Sequence, residues 1–351
     1  MNIRSILQGI NVLDLSTVLA GPSVGTFLAE LGAEVTKIES PQGDVTRTWF
    51  GVNEDQSTTS AYYLSVNANK NVLVMDINTN RSELEELISK SDIVLLNFKS
   101  SDEVKFDLRP DDLLQRYPHL IIGKIKGFEH EEGRVAYDVA IQAETGYMSI
   151  NGEKDSEPLK LPVAFMDVLA AHQLKEGLLC ALLDKTKTGE GMLVECSLES
   201  AGIVSLMNQG SNFLKTGKVP IAAGSLHPNI APYGEQIVFK DNTRIVLAIG
   251  SDKQFASLCS LLKCDAMAND QRFHNNISRV QNRKELLHIL TKAAESISFP
   301  TIRESLIGHS VPFGEVKTID RVMDSTSARE KITVHSNGER SVSHVGFNII
   351  K

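Results

Sequence analysis

Asp167 is the side chain whose surroundings best suit covalent chemistry. It ends the run LPVAFMD, and a helical spacing of apolar residues follows over positions 168–185. Two roles fit a carboxylate at this point, an N-cap bonded to free backbone N–H groups or a reactive group aimed at a substrate. Because a helix N-terminus favours negative charge, the pattern predicts that Asp167 is ionised at neutral pH and needs no general base to act as a nucleophile.

The chain before Asp167 predicts a parallel sheet that would position this carboxylate. Residues 9–15, 23–31 and 33–38 have the patterns of a strand, a helix and a strand, which make a βαβ unit. Further strands are predicted at 71–77, 92–96, 120–126 and 192–198. Ligands of open α/β sheets bind at the carboxyl ends of strands, so we expect a site after residues 15, 38, 96 and 126. The GxGxxG signature of dinucleotide folds is absent, because Pro22 follows Gly21.

The second half of the chain predicts a separate, smaller domain. A helix over 199–214 precedes the proline-rich stretch HPNIAPY, which marks a boundary. Residues 235–240 and 243–249 form a predicted hairpin around Asp241-Asn242, and helices are predicted at 253–262 and 283–297. We therefore expect a large Rossmann-like domain over 1–215, completed by about 315–351, and a small α+β domain over 226–314.

Composition narrows the class of protein. The 351 residues are 42% hydrophobic and 23% charged, as in ordinary globular proteins, and no apolar run approaches the ~18 residues of a membrane span. A net charge of −8 argues against broad nucleic-acid binding. The start lacks a signal-peptide core, and the four cysteines form neither CxxC pairs nor a metal-ligand pattern. We expect a cytoplasmic protein with reduced thiols and no metal site.

Six segments, taken in order, resemble the class III CoA-transferases of the CaiB/BaiF type. They are GINVLDLSTVLAGP, LGAEVTKIESPQGDVTR, NKNVLVMDI, SDIVLLNFK, KTGEGMLVECSL and HPNIAPY. The superfamily also contains formyl-CoA transferase and α-methylacyl-CoA racemase. The resemblance implies an interlocked homodimer whose subunits have a Rossmann-like large domain without a dinucleotide. It also implies acyl-CoA and a small carboxylic acid as substrates, with no permanently bound cofactor.

The resemblance places the family's catalytic aspartate on Asp167. In such transferases this carboxylate attacks the acyl-CoA thioester to form a mixed anhydride, the CoA thiolate returns to give an aspartyl-CoA thioester, and the acceptor acid then takes over CoA. The implied CoA contacts are Leu19, Lys37, Asn97, Phe98, Lys99 and Lys105. Lysines suit phosphates, although each is also explained as a solvated surface residue, and Phe98 could face adenine or fill the core.

Two alternatives stay open at this point. A racemase needs acid/base groups on both faces of the substrate, and the racemases resembling this chain carry a histidine where Tyr137 stands, beside Asp138. Tyr137, which we expect in the catalytic site with Asp167, is a poor base at pH 7 because the free pKa of tyrosine is about 10. The other alternative is an inactive CoA-binding dimer, suggested by Lys99 where arginine is commoner and by the absence of the family's C-terminal helical tail. The acceptor acid is not readable, but no glycine-rich loop lies between 210 and 250, which speaks against oxalate.

Overall fold

A computed structural model describes residues 5–131 and 133–350 of the chain. The outermost positions of the predicted domain ranges, 1–4 and 351, lie outside the described residues. Within them the chain divides into two compact units. The first unit runs to Met148 and includes Lys160–Pro220 and the chain from Thr326, while the second consists of Ser149–Leu159 and Ile221–Ser325. The excursion into the second unit at Ser149–Leu159 has no counterpart in the predicted domain ranges, which stay a prediction.

The first unit contains a six-stranded parallel sheet in the order β3-β2-β1-β4-β5-β6. Its strands are β1 Asn11–Asp14, β2 Glu34–Glu39, β3 Asn71–Val74, β4 Ile93–Leu96, β5 Ile121–Lys126 and β6 Leu193–Ser197. The strand order reverses direction between β1 and β4, whose carboxyl ends therefore flank the crevice in which open α/β sheets bind ligands.

Ten helices before the second unit, an eleventh after it and a terminal hairpin complete the described part of this unit, and α7 continues into the second unit. The helices are α1 Ala20–Glu30, α2 Ala61–Asn67, α3 Arg81–Ser89, α4 Ser100–Phe106, α5 Pro110–Arg116, α6 Asp138–Glu144, α7 Tyr147–Ile150, α8 Phe165–Thr188, α9 Leu198–Ser205 and α10 Met207–Thr216; a 3-10 turn covers Val45–Thr48. The second unit ends with α15 Ile319–Met323, and after it come α16 Thr326–Arg329 and the antiparallel hairpin of β10 Ile332–Val334 and β11 Arg340–Val342.

Helices cover both faces of the sheet, which explains the near-continuous apolar runs of its strands. All four residues of β4 are buried. One face packs against α1 and α8 through side chains such as Phe27 and Leu174, and the other packs against α3 and α5 through side chains such as Ile88 and Leu113. Gly177 lets α8 approach β6 closely, because a Cβ at this position would lie 2.5 Å from Val194 Cγ1.

The second unit is built on a three-stranded antiparallel sheet. Its strands are β7 Tyr233–Val238, β8 Arg244–Ala248 and β9 Phe313–Glu315. Besides α15, its helices are α11 Asp252–Leu261, α12 Asn276–Gln281, α13 Arg283–Ala294 and α14 Phe299–Gly308. Asn242, with φ 62°, makes the turn between β7 and β8. Its own core contains Phe255, Leu258 and Leu290, so each unit has a separate apolar centre.

The predicted fold class is confirmed as mixed α/β, with a parallel six-stranded sheet and a small antiparallel sheet. The prediction of one helix over 199–214 is wrong. The structure has α9 and α10, separated at Leu206, because Met207 takes up a positive φ of 35° that ends regular α geometry. Across the described ranges, no helix combines the length and apolar character needed to traverse a bilayer.

Candidate active site

The loop after β1, Ser16–Leu19, lies at the point where the strand order reverses, and we call it the β1 loop. Asn97, just past β4, joins it through two hydrogen bonds. Its Oδ1 accepts from Thr17 N at 3.0 Å, and its Nδ2 donates to Thr17 O at 2.9 Å. Asn97 therefore ties the ends of two neighbouring strands together. Its amide is occupied by protein backbone in this structure.

Two buried ion pairs lie next to the β1 loop and hold it in place. Lys37 Nζ lies 3.2 Å from Asp44 Oδ2 and donates to Ser16 O at 2.8 Å, while Lys70 Nζ lies 2.8 Å from Asp14 Oδ2. All four charged side chains are fully buried. Burial lowers the pKa of Lys70 to about 8 despite the charge of Asp14. The predicted phosphate contact of Lys37 stays a prediction, and its ammonium group is engaged with the protein itself.

Val18, in the middle of this loop, has a φ of 71°. A β-branched residue rarely adopts the left-handed region, so the surroundings hold the backbone in a strained form. Asp44 Oδ2 accepts from Val18 N at 3.4 Å, and Asn97 and Lys37 hold the residues before it. The polar contacts thus fix an unfavourable backbone conformation that presents Val18 and Leu19 to a cleft.

This cleft, which we call the Asp167 cleft, has a volume of about 250 Å³. It lies within the first unit at the carboxyl ends of β1, β4 and β5. Six of the eight predicted site residues line it: Leu19, Asn97, Phe98, Lys99, Tyr137 and Asp167. The fold therefore brings together side chains that are up to 148 positions apart in sequence, counted from Leu19 to Asp167.

A second cleft of about 300 Å³, which we call the β2 cleft, opens beyond the carboxyl ends of β2 and β3. Its walls include Pro41, Met75 and Ile77, and Lys37 lies at its base. Phe98 lines both clefts, with its ring 5.5 Å from that of Phe106. The eighth predicted residue, Lys105, lines neither cleft; it is exposed, with Nζ 5.0 Å from the Phe106 ring centroid.

Asp167 is not the N-cap of its helix, which corrects the first of the two predicted roles. α8 begins at Phe165, Ala164 occupies the cap position without a side-chain hydrogen bond, and Asp167 is the third helical residue. In the ranges 5–131 and 133–350, no group donates a hydrogen bond to its carboxylate. A cap role is therefore excluded for the carboxylate in this geometry, while a reactive role remains.

The expectation that the helix end keeps Asp167 fully ionised also needs correction. Burial raises the pKa of Asp167 to about 7, and the negative charge of Asp138 adds to the rise. Removal from water and repulsion by a like charge together outweigh the stabilising field of the helix N-terminus. The carboxylate is consequently about half ionised near neutral pH, and its anion is far more basic than that of an ordinary aspartate.

The cations around the Asp167 cleft differ in what they already contact. Lys124 and Lys126 on β5 pair with Glu195 at 3.4 and 2.8 Å, and Arg134 pairs with Glu144 at 2.5 Å. Lys99 is exposed, and among the described residues its ammonium group has no ion-pair partner. Lys99 is thus the lining cation most available for an anionic ligand.

Sequence reasoning missed two residues that surround Asp167. The pKa of Tyr62 is raised to about 12, first by burial and then by the charges of Asp167 and Asp138, which places its phenol group near both carboxylates. The Tyr62 ring also packs edge-on against Trp49, with 5.0 Å between centroids. Asp138 accepts a hydrogen bond from Met166 N at 2.7 Å. From the sequence, Asp138 is noted only as the neighbour of Tyr137 and has no predicted role, and nothing in the sequence singles out Tyr62.

Curated relatives of this chain are CoA-transferases. It is 33% identical over 332 residues to succinate–glutarate CoA-transferase of Agrobacterium fabrum, covering 92% of this chain and 82% of that protein. It is 32% identical over 328 residues to human succinyl-CoA:glutarate CoA-transferase, covering 92% of this chain and 74% of that one. A succinyl-CoA:mesaconate CoA-transferase of Haloarcula hispanica is 29% identical, with 93% and 84% covered.

The fold agrees with these relatives. The crystal structure of a CaiB/BaiF family protein from Brucella suis superposes with a TM-score of 0.86 at 32% identity, covering 98% of this chain and 92% of that chain. The sequence profile of CoA-transferase family III matches residues 7–349. The protein therefore belongs to CoA-transferase family III and is an enzyme of that family.

Proposed function

We propose that this enzyme moves CoA from an acyl-CoA donor to a free carboxylic acid through a covalent intermediate on Asp167. The observation that carries the proposal is the state of this carboxylate. It lines the cleft, is largely removed from water and has no hydrogen-bond donor among the described residues. Such a carboxylate is poorly stabilised as an anion, and its reaction with an electrophile relieves that cost.

The chemical steps balance without any further reactant. An Asp167 oxygen attacks the thioester carbonyl carbon, and the C–S bond breaks. CoA leaves as a thiolate, and the acyl group remains on Asp167 as a mixed anhydride. The thiolate then attacks the Asp167 carbonyl carbon and expels the donor acid as a carboxylate, leaving an aspartyl-CoA thioester. The acceptor carboxylate repeats these two steps in reverse, which releases the new acyl-CoA and restores Asp167.

The pKa of Asp167 gives this proposal a pH dependence. Only the anion is nucleophilic, and the fraction of anion falls as the pH drops below about 7. We therefore expect kcat/KM to rise with pH through about 7 and to level off above it. An acidic limb centred near pH 4, as for an unperturbed aspartate, would contradict the desolvated state.

The two clefts suggest where the parts of CoA bind. Phe98 lines both, so a ligand that follows this side chain can extend from one cleft into the other. We propose that the adenosine occupies the apolar β2 cleft and the thioester reaches Asp167. Lys99 at the first cleft and Lys105 beside Phe106 are the cations placed to meet the phosphates. Tyr137 is 56% exposed at the cleft, where it can contact the acyl group.

We propose a dicarboxylic acid as acceptor, on the strength of the relatives named for glutarate, succinate and mesaconate. The experiment offers succinyl-CoA and acetyl-CoA to a panel of mono- and dicarboxylic acids, with new CoA esters identified by mass spectrometry. Transfer to C4–C5 dicarboxylates and little transfer to monocarboxylates of equal length is the expected result. Equal transfer to both classes would contradict the proposed acceptor while leaving CoA transfer intact.

The racemase alternative would need a base with a pKa near neutral opposite Asp167, such as a histidine. Among the described residues that line it there is no histidine, and neither His130 nor His172 is one of them. We expect no deuterium wash-in at the α-carbon of a 2-methylacyl-CoA in heavy water without an acceptor acid. Rapid wash-in coupled to inversion, lost in Asp167→Ala, would favour the racemase.

We also propose that the enzyme is an interlocked homodimer, as the family resemblance implies. Large apolar side chains stand exposed on α9 and α10, including Ile203, Met207 and Leu214. A surface rich in such side chains suits an interface with a second copy of the chain. Light scattering should give twice the mass of the chain, which is 38.5 kDa. A stable, active monomer would contradict this proposal.

A further inference from the structure

Asp138 holds the first turn of the helix that carries Asp167. It is the first residue of α6, and its Oδ1 accepts from Met166 N at 2.7 Å. The Met166 N–H is one of the four that an α-helix leaves without an internal partner at its N-terminus. Since Ala164 at the cap position has no side-chain acceptor, a carboxylate from another helix does the capping. Met166 immediately precedes Asp167.

Gln142 extends this support to the segment that enters the helix. Its Nε2 donates to Asp138 Oδ2 at 2.6 Å, while its Oε1 accepts from Leu161 N at 2.7 Å. Gln142 is fully buried, so these bonds are shielded from water. Gln142 and Asp138, one turn apart on α6, therefore bind the backbone at Leu161 and at Met166, respectively. These two bonds fix both ends of the segment that leads to Asp167.

The same carboxylate that anchors the helix also keeps a negative charge beside Asp167. A neutral acceptor, such as an asparagine amide, could cap Met166 N–H without this charge. Asp138 therefore combines two effects on its neighbour: it fixes the position of the helix turn, and it makes the Asp167 anion less stable. Both favour attack on a carbonyl carbon, the first by orientation and the second by raising basicity.

We infer that Asp138 is a positioning residue for the Asp167 carboxylate, acting through Met166 and Gln142 and through its own negative charge. This inference rests on the proposed role of Asp167 as nucleophile. Asp138 touches neither the thioester nor the acceptor in this account. Its effect is on the geometry and protonation of the group that does.

Other charged or titratable groups also face this corner and set the background against which Asp138 acts. Tyr62 on α2 is near both carboxylates. The remaining ones around the cleft are Lys99 and Tyr137, together with the ion-paired side chains Lys124, Lys126, Glu131, Arg134 and Glu195. None of these is the capping partner of α8, so substitution of Asp138 separates its contribution from theirs.

The test compares pH profiles of kcat/KM for Asp138→Asn and Asp138→Glu. The asparagine keeps an acceptor for Met166 N–H but removes the charge, so the acidic limb should move to lower pH by up to about one unit. The glutamate keeps the charge, so the limb should stay at its wild-type position while the rate falls through altered reach. Asp111→Asn, which removes an exposed charge from the first turn of α5, is the matched control and should change neither quantity.

An acidic limb that stays in place in Asp138→Asn would overturn the inference. If this variant does not fold, Asp138→Ser, which also retains an acceptor without the charge, supplies the same comparison. Asp167→Ala is assayed in parallel to separate the two proposals. An active Asp167→Ala would refute the nucleophile itself, whereas an inactive Asp167→Ala with an unmoved Asp138→Asn limb would refute only the role of Asp138.

Discussion

Asp14 and Asp167 are both carboxylates of the first unit that are shielded from water, Asp14 completely and Asp167 in part, but their surroundings differ. Asp14 accepts from Lys70 Nζ and from the backbone and hydroxyl of Ser16, and although burial alone would raise its pKa, these partners lower it. Asp167 has burial and a like charge from Asp138, and its pKa rises to about 7. The same side chain is thus a structural anchor in one place and, in the other, the proposed nucleophile.

The two carboxylates serve two different needs of the proposed active site. The β1 loop needs a fixed shape, including the strained Val18, and satisfied buried charges supply it. The Asp167 corner needs a group that is held in place while its charge remains unsatisfied. Asp138 achieves this by accepting from the backbone of α8, and Gln142 by accepting from the backbone of the segment before it, so neither donates to the Asp167 carboxylate.

The largest expected effect comes from removing the reactive carboxylate. Asp167→Ala should lower CoA transfer at least about a thousandfold, because the covalent route needs this oxygen. CoA should still bind, since the clefts are otherwise unchanged. Steady-state kinetics and calorimetric titration with CoA measure the two quantities. Wild-type turnover in this variant would leave Asp167 with no more than a structural role.

The anchor should respond to mutation through stability. Lys70→Met leaves Asp14 buried without its counter-ion, which should cost about 3–5 kcal/mol of unfolding free energy. Urea unfolding measures the loss. The control is Lys90→Met, which removes an exposed ion pair with Glu86 whose side chains are 67% and 64% accessible, and which should change stability little. Equal effects of the two substitutions would contradict the anchoring role.

Asp167 should show the opposite sign. Its folded-state pKa of about 7 lies above the ordinary value of 3.8, so ionisation opposes folding. The penalty is absent below pH 3.8, grows as the pH rises and is complete above about 7. Asp167→Asn should therefore stabilise the protein at pH 8 by up to about 4 kcal/mol, at about 1.4 kcal/mol per pKa unit.

Thermal unfolding of Asp167→Asn and wild type at pH 5 and pH 8 checks this sign. The gain in Tm should be clearly larger at pH 8 than at pH 5. A gain that is equal at both values, or a loss at pH 8, would show that the Asp167 carboxylate is better stabilised in the fold than its contacts indicate.

The smallest effects concern the exposed lysines. Lys99→Ala should raise the KM for acyl-CoA roughly tenfold, since Lys99 lines the Asp167 cleft and has no competing ion pair in the described ranges. Lys105→Ala should raise it less than about threefold, because this side chain is exposed and lines neither cleft. A larger rise in KM for Lys105→Ala than for Lys99→Ala would place the CoA phosphates nearer to Lys105 and Phe106.

Much of the sheet was predictable, because short apolar runs bounded by turn residues specify strands locally. The predicted strand over residues 92–96 corresponds to β4, Ile93–Leu96, and its burial on both faces follows from a continuous apolar run. The break between α9 and α10 was not predictable, since nothing in the sequence around Met207 signals a positive φ. Sequence patterns predict the local backbone well where the spacing of apolar residues and the turn residues indicate the same element.

The grouping of the predicted residues could be read from the sequence better than their surroundings, and their roles stay predictions. Resemblance identified Asp167, and the fold does bring six of the predicted residues to one cleft. The sequence could not show that Lys37 and Asn97 hydrogen-bond to the protein backbone. Their partners, Ser16 and Thr17, lie in the β1 loop, which only the folded sheet brings next to them. It likewise could not show that burial and Asp138 would reverse the expected ionisation of Asp167.

The most direct test of the account is detection of the covalent intermediate. The enzyme is incubated with succinyl-CoA, quenched with hydroxylamine, digested and analysed by mass spectrometry, with Asp167→Ala as the control. Hydroxylamine converts an activated aspartyl ester or thioester into a hydroxamate, so we predict that modification on the peptide containing Asp167 and nowhere else. Turnover of succinyl-CoA in the same sample without any modified Asp167 would contradict the account.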